Sequence, residues 1–367
     1  MRLSGLRASF VASVTQPNIA LRPRLSNLIR PNIRTMHFYK SARGEFGGAA
    51  EVLLDANENP FDNGHNRYPD PLHGELRSAV AESYGVGEDN VFIGNGSSEA
   101  LDLLMRLVGR PGRDRIVQLP PTFGIYAVDA ALNDLEGLDV PLTADFQPDV
   151  RGVLAKADPE RDRILFLCTP NNPTGNDLDP ARVTALVEGF PGLVVLDQAY
   201  IEFSRRPSYR QLWREHPHVL ITETMSKAYG LAGSRVGLAF GDAELIGWLN
   251  GIKPPYNVSI ESGRLALEAV RERSGRVARE IDVLKAERER LAAAFAKTPY
   301  FERVYPTDAN FFLVKLAGAN ALYDHLVGQG IVVRNQTSKF GYGHLRINVG
   351  TPEENGRLLE ALLCFKA

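Results

Sequence analysis

Lys227 has neighbours that suit it to covalent chemistry. It stands in Thr224-Met225-Ser226-Lys227, and Gly233-Ser234-Arg235-Val236-Gly237 follows, with Arg235 eight residues beyond the lysine. A lysine amine that is desolvated and deprotonated condenses with an aldehyde to a Schiff base. Ser226 can donate to a phosphate on that aldehyde, and Arg235 can clamp the phosphate with its planar fork of donors. The aldehyde phosphate so described is pyridoxal 5′-phosphate (PLP). Taken alone, the stretch is weak, since a Ser-Lys pair in a loop is usually only a solvated turn.

The elements around it narrow the reading. His218 to Thr222 and Val236 to Phe240 are short apolar runs that bracket Lys227 as buried strands. Asp197-Gln198-Ala199-Tyr200 follows the apolar run Leu193 to Leu196. Asn171-Asn172-Pro173-Thr174-Gly175 follows Ile164 to Cys168, and Gly94-Asn95-Gly96-Ser97-Ser98-Glu99 follows Val91 to Ile93. Each polar group sits just past the C-terminal end of a β-like run, where open α/β sheets place ligands. Ser97 and Ser98 open a helix carrying Leu101, Leu104, Leu107 and Val108. The free N–H groups and dipole of its first turn make an anion site. An N-cap without a ligand uses the same residue types. The dinucleotide fingerprint Gly-x-Gly-x-x-Gly is absent, since Glu99 stands where the third glycine would fall.

Together these stretches resemble the fold-type I PLP-dependent aminotransferases, class II, and within them the histidinol-phosphate aminotransferase family, from about Leu28 to the C-terminus. The finer likeness rests on Leu54-Asp-Ala-Asn-Glu-Asn-Pro60, Asn66-Arg-Tyr-Pro69, Pro120-Pro-Thr-Phe123 and Thr169-Pro-Asn-Asn-Pro-Thr-Gly175. It continues in Asp197-Gln-Ala-Tyr-Ile-Glu-Phe203, the Lys227 stretch and His344-Leu-Arg-Ile-Asn-Val-Gly350. The resemblance implies that Phe123 stacks on the pyridine ring, Asn172 and Tyr200 hydrogen-bond its 3′-oxygen, and Asp197 keeps its nitrogen protonated. The protonated ring is the electron sink of the reaction. Lys227 then serves as Schiff-base amine and as general base and acid. The resemblance further implies that Tyr68 reaches the PLP phosphate of a partner subunit, hence a homodimer, and that Tyr39 contacts the substrate phosphate. A turn or packing role remains the alternative for both tyrosines, as a core position does for Phe123. Arg346 would take the α-carboxylate of glutamate, and Arg334 with Arg346 would hold the phosphate of histidinol phosphate; the alternative is a solvated strand edge. Two departures are Gln198, where Glu is usual, and Ser234, where an apolar residue is common.

The expected architecture is α/β: a large doubly wound, mainly parallel sheet domain over 62–260 and a small C-terminal α/β domain over 261–367. Residues 28–61 form an N-terminal arm, and 1–27 an extension read as disordered. Between Met1 and Gly44 there is no acidic residue, while arginine and serine recur. That is the composition of an organelle transit peptide, or of a leader with no such role; the cytoplasm is the expected location.

At 367 residues, 44% apolar and 23% charged, the chain is long enough for two packed units. A net charge of −2 gives no basic field for nucleic acid. No run of roughly 20 apolar residues suggests a membrane span. Cys168 and Cys364 make no disulfide framework, and no metal is expected. The reaction the resemblance implies is transamination between L-histidinol phosphate and 2-oxoglutarate, yielding imidazole acetol phosphate and L-glutamate in histidine biosynthesis. A threonine-phosphate decarboxylase and an aromatic amino-acid aminotransferase share the cofactor residues and remain as alternatives. A PLP-sensing regulator is disfavoured, because residues 1–60 hold no pair of helices for DNA.

Overall fold

The apolar runs that flank each polar motif become neighbouring strands of one sheet in a computed structural model, which describes residues 25–39, 41 and 51–366. The strands are β1 (Val91–Asn95), β2 (Arg115–Gln118), β3 (Glu136–Asp139), β4 (Asp162–Cys168), β5 (Leu193–Asp197), β6 (Val219–Thr224) and β7 (Val236–Gly241). Their order across the sheet is β1-β7-β6-β5-β4-β2-β3. All neighbours pair in parallel except β7, which runs antiparallel to both β1 and β6.

The inner strands β4, β5 and β7 are apolar at nearly every position because helices cover both faces of the sheet. In β4, Ile164, Phe166 and Cys168 enter the core on one side, while Leu165 and Leu167 enter the core on the other. Burying each such side chain fully contributes about 1.5–3 kcal/mol. The helix Ser97–Val108 buries Leu101, Leu104, Met105 and Val108 against one face. Their spacing at three and four residues is that of one helical stripe.

A second sheet is antiparallel throughout. It comprises β8 (Arg303–Val304), β9 (Phe311–Lys315), β10 (Arg334–Asn335) and β11 (His344–Asn348), in the order β10-β11-β9-β8. The helices Ala319–Gly328 and Pro352–Cys364 pack on it and close a separate core with Phe312, Val314, Leu345 and Ile347. Arg334 ends the apolar run Ile331 to Val333, but only Arg334 and Asn335 pair as a strand. Gly330, at φ +73, turns the chain just before that run.

Two expected boundaries shift. The packing boundary does not fall at 260/261. Helix Ile260–Arg271 buries Ala266, Leu267, Ala269 and Val270 in the core of the large sheet, and Val277 and Ile281 join them. The small core begins at Leu291, inside the long helix Ala278–Phe295. The physical reason is tertiary: the helix Ile260–Arg271 packs against the helix Gly74–Tyr84, and its apolar stripe shares one core with Leu76, Val80, Ala81 and Tyr84. At the other end, the last residues of the expected extension belong to the packed fold. Leu25, Leu28, Ile29 and Ile33 are buried against the helix Ser97–Val108, and Arg30 N donates to Leu107 O at 3.0 Å. The rest of the extension, with its arginines and serines, lies outside the described residues, as does most of 40–50. Among the described residues, no helix is long and apolar enough to cross a membrane.

Candidate active site

Reversal of β7 assembles the site. Because β7 runs against its neighbours, its first residues lie at the same sheet edge as the last residues of β1 and β6. Asn95 pairs with Val236, and Thr224 with Gly237. Farther along the same edge, Asp197 pairs with Thr222 and with Cys168. Strands lie about 4.8 Å apart, so groups far apart in sequence stand side by side. They line a cavity of about 660 Å³.

One end of the cavity is a cradle for an anion. Gly96 precedes the helix Ser97–Val108 at φ +74, and a side chain there would meet the Arg235 guanidinium. Gly96 N donates to Arg235 O at 2.8 Å, and Arg235 itself adopts left-handed backbone angles, φ 57 and ψ 47. Arg235 Nη1 donates to Ser226 Oγ at 3.4 Å. Ser97, Ser98, Ser226 and Arg235 all line the cavity. Gly237 packs so closely on the Gly96–Ser97 peptide that any Cβ would overlap it. Glu99 holds this loop from behind: its Oε2 accepts from Asn95 N at 2.6 Å and from Asn257 Nδ2 at 2.7 Å.

At the centre stands Asp197, only 2% exposed. Burial raises its pKa, while hydrogen bonds from Tyr126, Thr222 and the Ala199 N–H pull it back. Tyr126 donates to Oδ2 at 2.6 Å, and Thr222 to Oδ1 at 3.3 Å. Among the described residues, no cation pairs with this carboxylate. A buried carboxylate with no cationic partner is an expensive arrangement; a ligand bringing a protonated ring nitrogen would complete it. Lys227 opens onto the same cavity, with Nζ 5.9 Å from the centroid of the Tyr200 ring. Surrounding protein excludes enough water to lower its pKa, and the charges of Arg346 and Arg235 lower it further. That shift favours the neutral, nucleophilic amine. Phe123, Asn172 and Tyr200 also line the cavity. Tyr200 is 7% exposed and packs edge-on against Phe311.

The far wall comes from the small sheet. Arg334 and Arg346 face one another across β10 and β11. Arg346 Nη1 donates to Asn172 Oδ1 at 2.6 Å. This leaves the Asn172 amide nitrogen as the group with which that residue can donate. Burial lowers the Arg346 pKa, and Arg334 adds to the shift. Its Nε has no hydrogen-bond partner among the described residues.

Eleven of the expected residues thus converge on one cavity: Ser97, Ser98, Phe123, Asn172, Asp197, Tyr200, Ser226, Lys227, Arg235, Arg334 and Arg346. Tyr39 and Tyr68 do not line it. Tyr39 is 71% exposed, and Tyr68, 49% exposed, stacks on Tyr256 with ring centroids 4.3 Å apart. Sequence reasoning missed Tyr126, Thr222 and Lys339. Tyr126 and Thr222 sit in apolar surroundings where a tyrosine or threonine reads as packing. Lys339 lies in a polar stretch with no spacing signal.

The donor set fits PLP. It offers an amine, a buried carboxylate awaiting a cationic ring nitrogen, an aromatic face and a phosphate cradle, spaced along one sheet edge. Fold and cavity together define a fold-type I PLP-dependent enzyme. Comparison with known proteins agrees. A histidinol-phosphate aminotransferase from Parabacteroides distasonis is 44% identical over 343 residues, covering 93% of this chain and 99% of the relative. One from Bacteroides fragilis is 45% identical over 340 residues, covering 92% and 98%. The crystal structure of histidinol-phosphate aminotransferase from Sinorhizobium meliloti in complex with pyridoxal-5′-phosphate shares the fold. Its TM-score is 0.74 at 24% identity, over 90% of this chain and 95% of that one. The chain belongs to the aminotransferase class I and II family, whose profile matches residues 46–362. It is an aminotransferase, and PLP is its cofactor.

Proposed function

We propose that the enzyme transfers the amino group of L-histidinol phosphate to 2-oxoglutarate, yielding 3-(imidazol-4-yl)-2-oxopropyl phosphate and L-glutamate, as a cytoplasmic step of histidine biosynthesis. Support comes from the relatives' names and, above all, from one feature of the site. Arg334 and Arg346 stand side by side on the wall opposite the cofactor cradle. Two guanidinium groups there suit a donor whose anion is a phosphate.

Bound PLP would supply the electron-withdrawing ring that drains charge from the substrate carbon bearing nitrogen. The protein's residues do the rest. Ser97, Ser98, Ser226 and Arg235 hold the phosphate, and Phe123 covers the ring face. Asp197 holds a proton on the ring nitrogen, and Asn172 with Tyr200 donates to the ring oxygen. Lys227 Nζ would take the proton from the substrate carbon and, as the ammonium, give it up on the other side of the amino nitrogen to complete the exchange. Arg346 orients the substrate anion while bonded to Asn172, so substrate and ring positions are mechanically linked. Tyr68 and Tyr39 fit this reading as residues given to a partner's site in a homodimer, which would explain why they lie outside their own cavity.

The test is spectroscopic. Holoenzyme receives L-histidinol phosphate without keto acid. Loss of the cofactor's visible band, restored by 2-oxoglutarate, is expected. A band that stays in place, with carbon dioxide released from threonine phosphate, would move the enzyme to the decarboxylases. A mass of one chain by light scattering would remove the dimer assignment.

A further inference from the structure

The charges around the cavity do not balance. Its lining holds Lys227, Arg235, Arg334, Lys339 and Arg346 against one carboxylate, Asp197. Asp197 is already engaged by Tyr126 and Thr222. Among the described residues, none of the five cations forms an ion pair. Incoming anions must therefore meet these charges. Arg235 lies in the cofactor cradle and Lys227 is the reacting amine, which leaves three cations on the far wall.

Two of those three, Arg334 and Arg346, are the paired strand residues described above. The third, Lys339, is carried by the helix Thr337–Phe340, which directly follows β10. Its Nζ donates to the carbonyl of Thr122, beside Phe123. That bond crosses from the small sheet's side to the large sheet's side of the cavity. A neutral carbonyl is a weak partner for an ammonium group that lies near the Arg346 guanidinium. Water is partly excluded there, and the Lys339 pKa is lowered by burial, with the Arg346 charge adding to the shift.

We propose that Lys339 is a substrate-contacting residue which, with Arg334 and Arg346, forms a three-cation subsite selective for the phosphate of the amino donor. This rests on the phosphorylated-donor reading above. A carboxylate carries one charge and is satisfied by one bidentate arginine. A phosphate monoester carries nearly two charges and three acceptor oxygens, so it rewards a third donor. Arg346 is tethered to Asn172, whereas Lys339 is a compact charge on a flexible stem. It can leave the Thr122 carbonyl for a phosphate oxygen. Lys339 then separates the two substrates of the cycle: it matters for the phosphorylated donor and little for the keto acid.

The experiment compares Lys339→Met and Lys339→Arg with wild-type holoenzyme. Lys339→Met should raise KM for L-histidinol phosphate by about tenfold to a hundredfold, the range carried by a charge-assisted hydrogen bond. Binding of inorganic phosphate to the holoenzyme, followed by calorimetry, should weaken alike. KM for 2-oxoglutarate, the cofactor's visible band and the melting temperature should change little, and Lys339→Arg should restore much of the loss. Equal losses for both substrates, with a lower melting temperature, would make Lys339 only a clasp between the two sides and overturn the proposal. So would an unchanged KM for the donor. If wild-type enzyme does not turn over histidinol phosphate, the donor reading fails. The phosphate calorimetry still decides the subsite: binding weakened by Lys339→Met supports it, and unchanged binding overturns it.

Discussion

Replacing Tyr126 by phenylalanine removes one hydroxyl from the centre of the site and little else. That hydroxyl donates to Asp197 Oδ2 at 2.6 Å, in a place where Asp197 is 2% exposed. Burial already holds the Asp197 carboxyl above its ordinary range, and the Tyr126 bond is the strongest of the influences pulling it back. The unfolded carboxyl titrates near 3.8. A carboxyl raised by folding holds more protons in the folded state. Its stabilising contribution is complete below the unfolded value and is lost as pH rises through the folded one. Removing Tyr126's donor raises the folded value again, so the loss at neutral and alkaline pH deepens. A hydrogen bond to a charged group contributes about 1.5–3 kcal/mol and a neutral one about 0.5–1.5 kcal/mol. Tyr126→Phe should therefore cost the apoprotein about 1.5–3 kcal/mol at pH 8, and less once Asp197 is protonated. Urea unfolding of both proteins at pH 8 and at progressively lower pH reads this directly, provided the slopes agree. The same cost at every pH would refute the charged bond. A cost below about 0.5 kcal/mol at pH 8 would show that Asp197 does not depend on Tyr126.

Other expectations follow from the same geometry. Lys227→Ala should abolish both half-reactions and the visible band that a lysine–pyridoxal linkage gives; an unchanged yellow spectrum would remove Lys227 from the chemistry. Arg346→Met removes a positive neighbour from Lys227, whose pKa is lowered first by burial and next by that charge. The pKa should rise, and the pH midpoint for capture of PLP by the apoprotein should move upward; a fixed midpoint would mean that the Arg346 charge does not act on Lys227. Gly237→Ala puts a methyl group into the Gly96–Ser97 peptide. It should weaken PLP retention at least tenfold, about 1.4 kcal/mol, by displacing the phosphate loop. Retention equal to wild type in a dialysis assay would show that the loop gives way freely.

Much of the site was legible because its chemistry needs particular residue types in particular places. Lysine, aspartate, asparagine and serine each stood within about five residues of the end of a short apolar run, and a parallel sheet buried on both faces demands such runs. The strand-end positions of Ser97, Asn172, Asp197 and Lys227 therefore followed from local pattern. So did the separate small unit, from the alternation of strands and helices after the long helix. Resemblance to a family added roles for Phe123, Arg334 and Arg346 that spacing alone does not give.

What the chain order could not determine is which strand lies beside which, and in which direction. The reversal of β7 brings Arg235 to Gly96 and Ser226, across more than a hundred residues of sequence from the first of them. Register then sets Asp197 beside Thr222, and a helix from another part of the chain sends in Tyr126. The same holds for the helix Ile260–Arg271, whose apolar stripe reads alike whichever core it joins. Lys339 gives no local signal, because its charge acquires meaning only opposite Thr122 and beside Arg346. The sequence by itself determined which groups could do the chemistry, since propensity and hydrophobic period are local. Their distances, their burial and the excess of positive charge they create belong to tertiary structure, because only packing decides which groups lose water and which neighbours they then face.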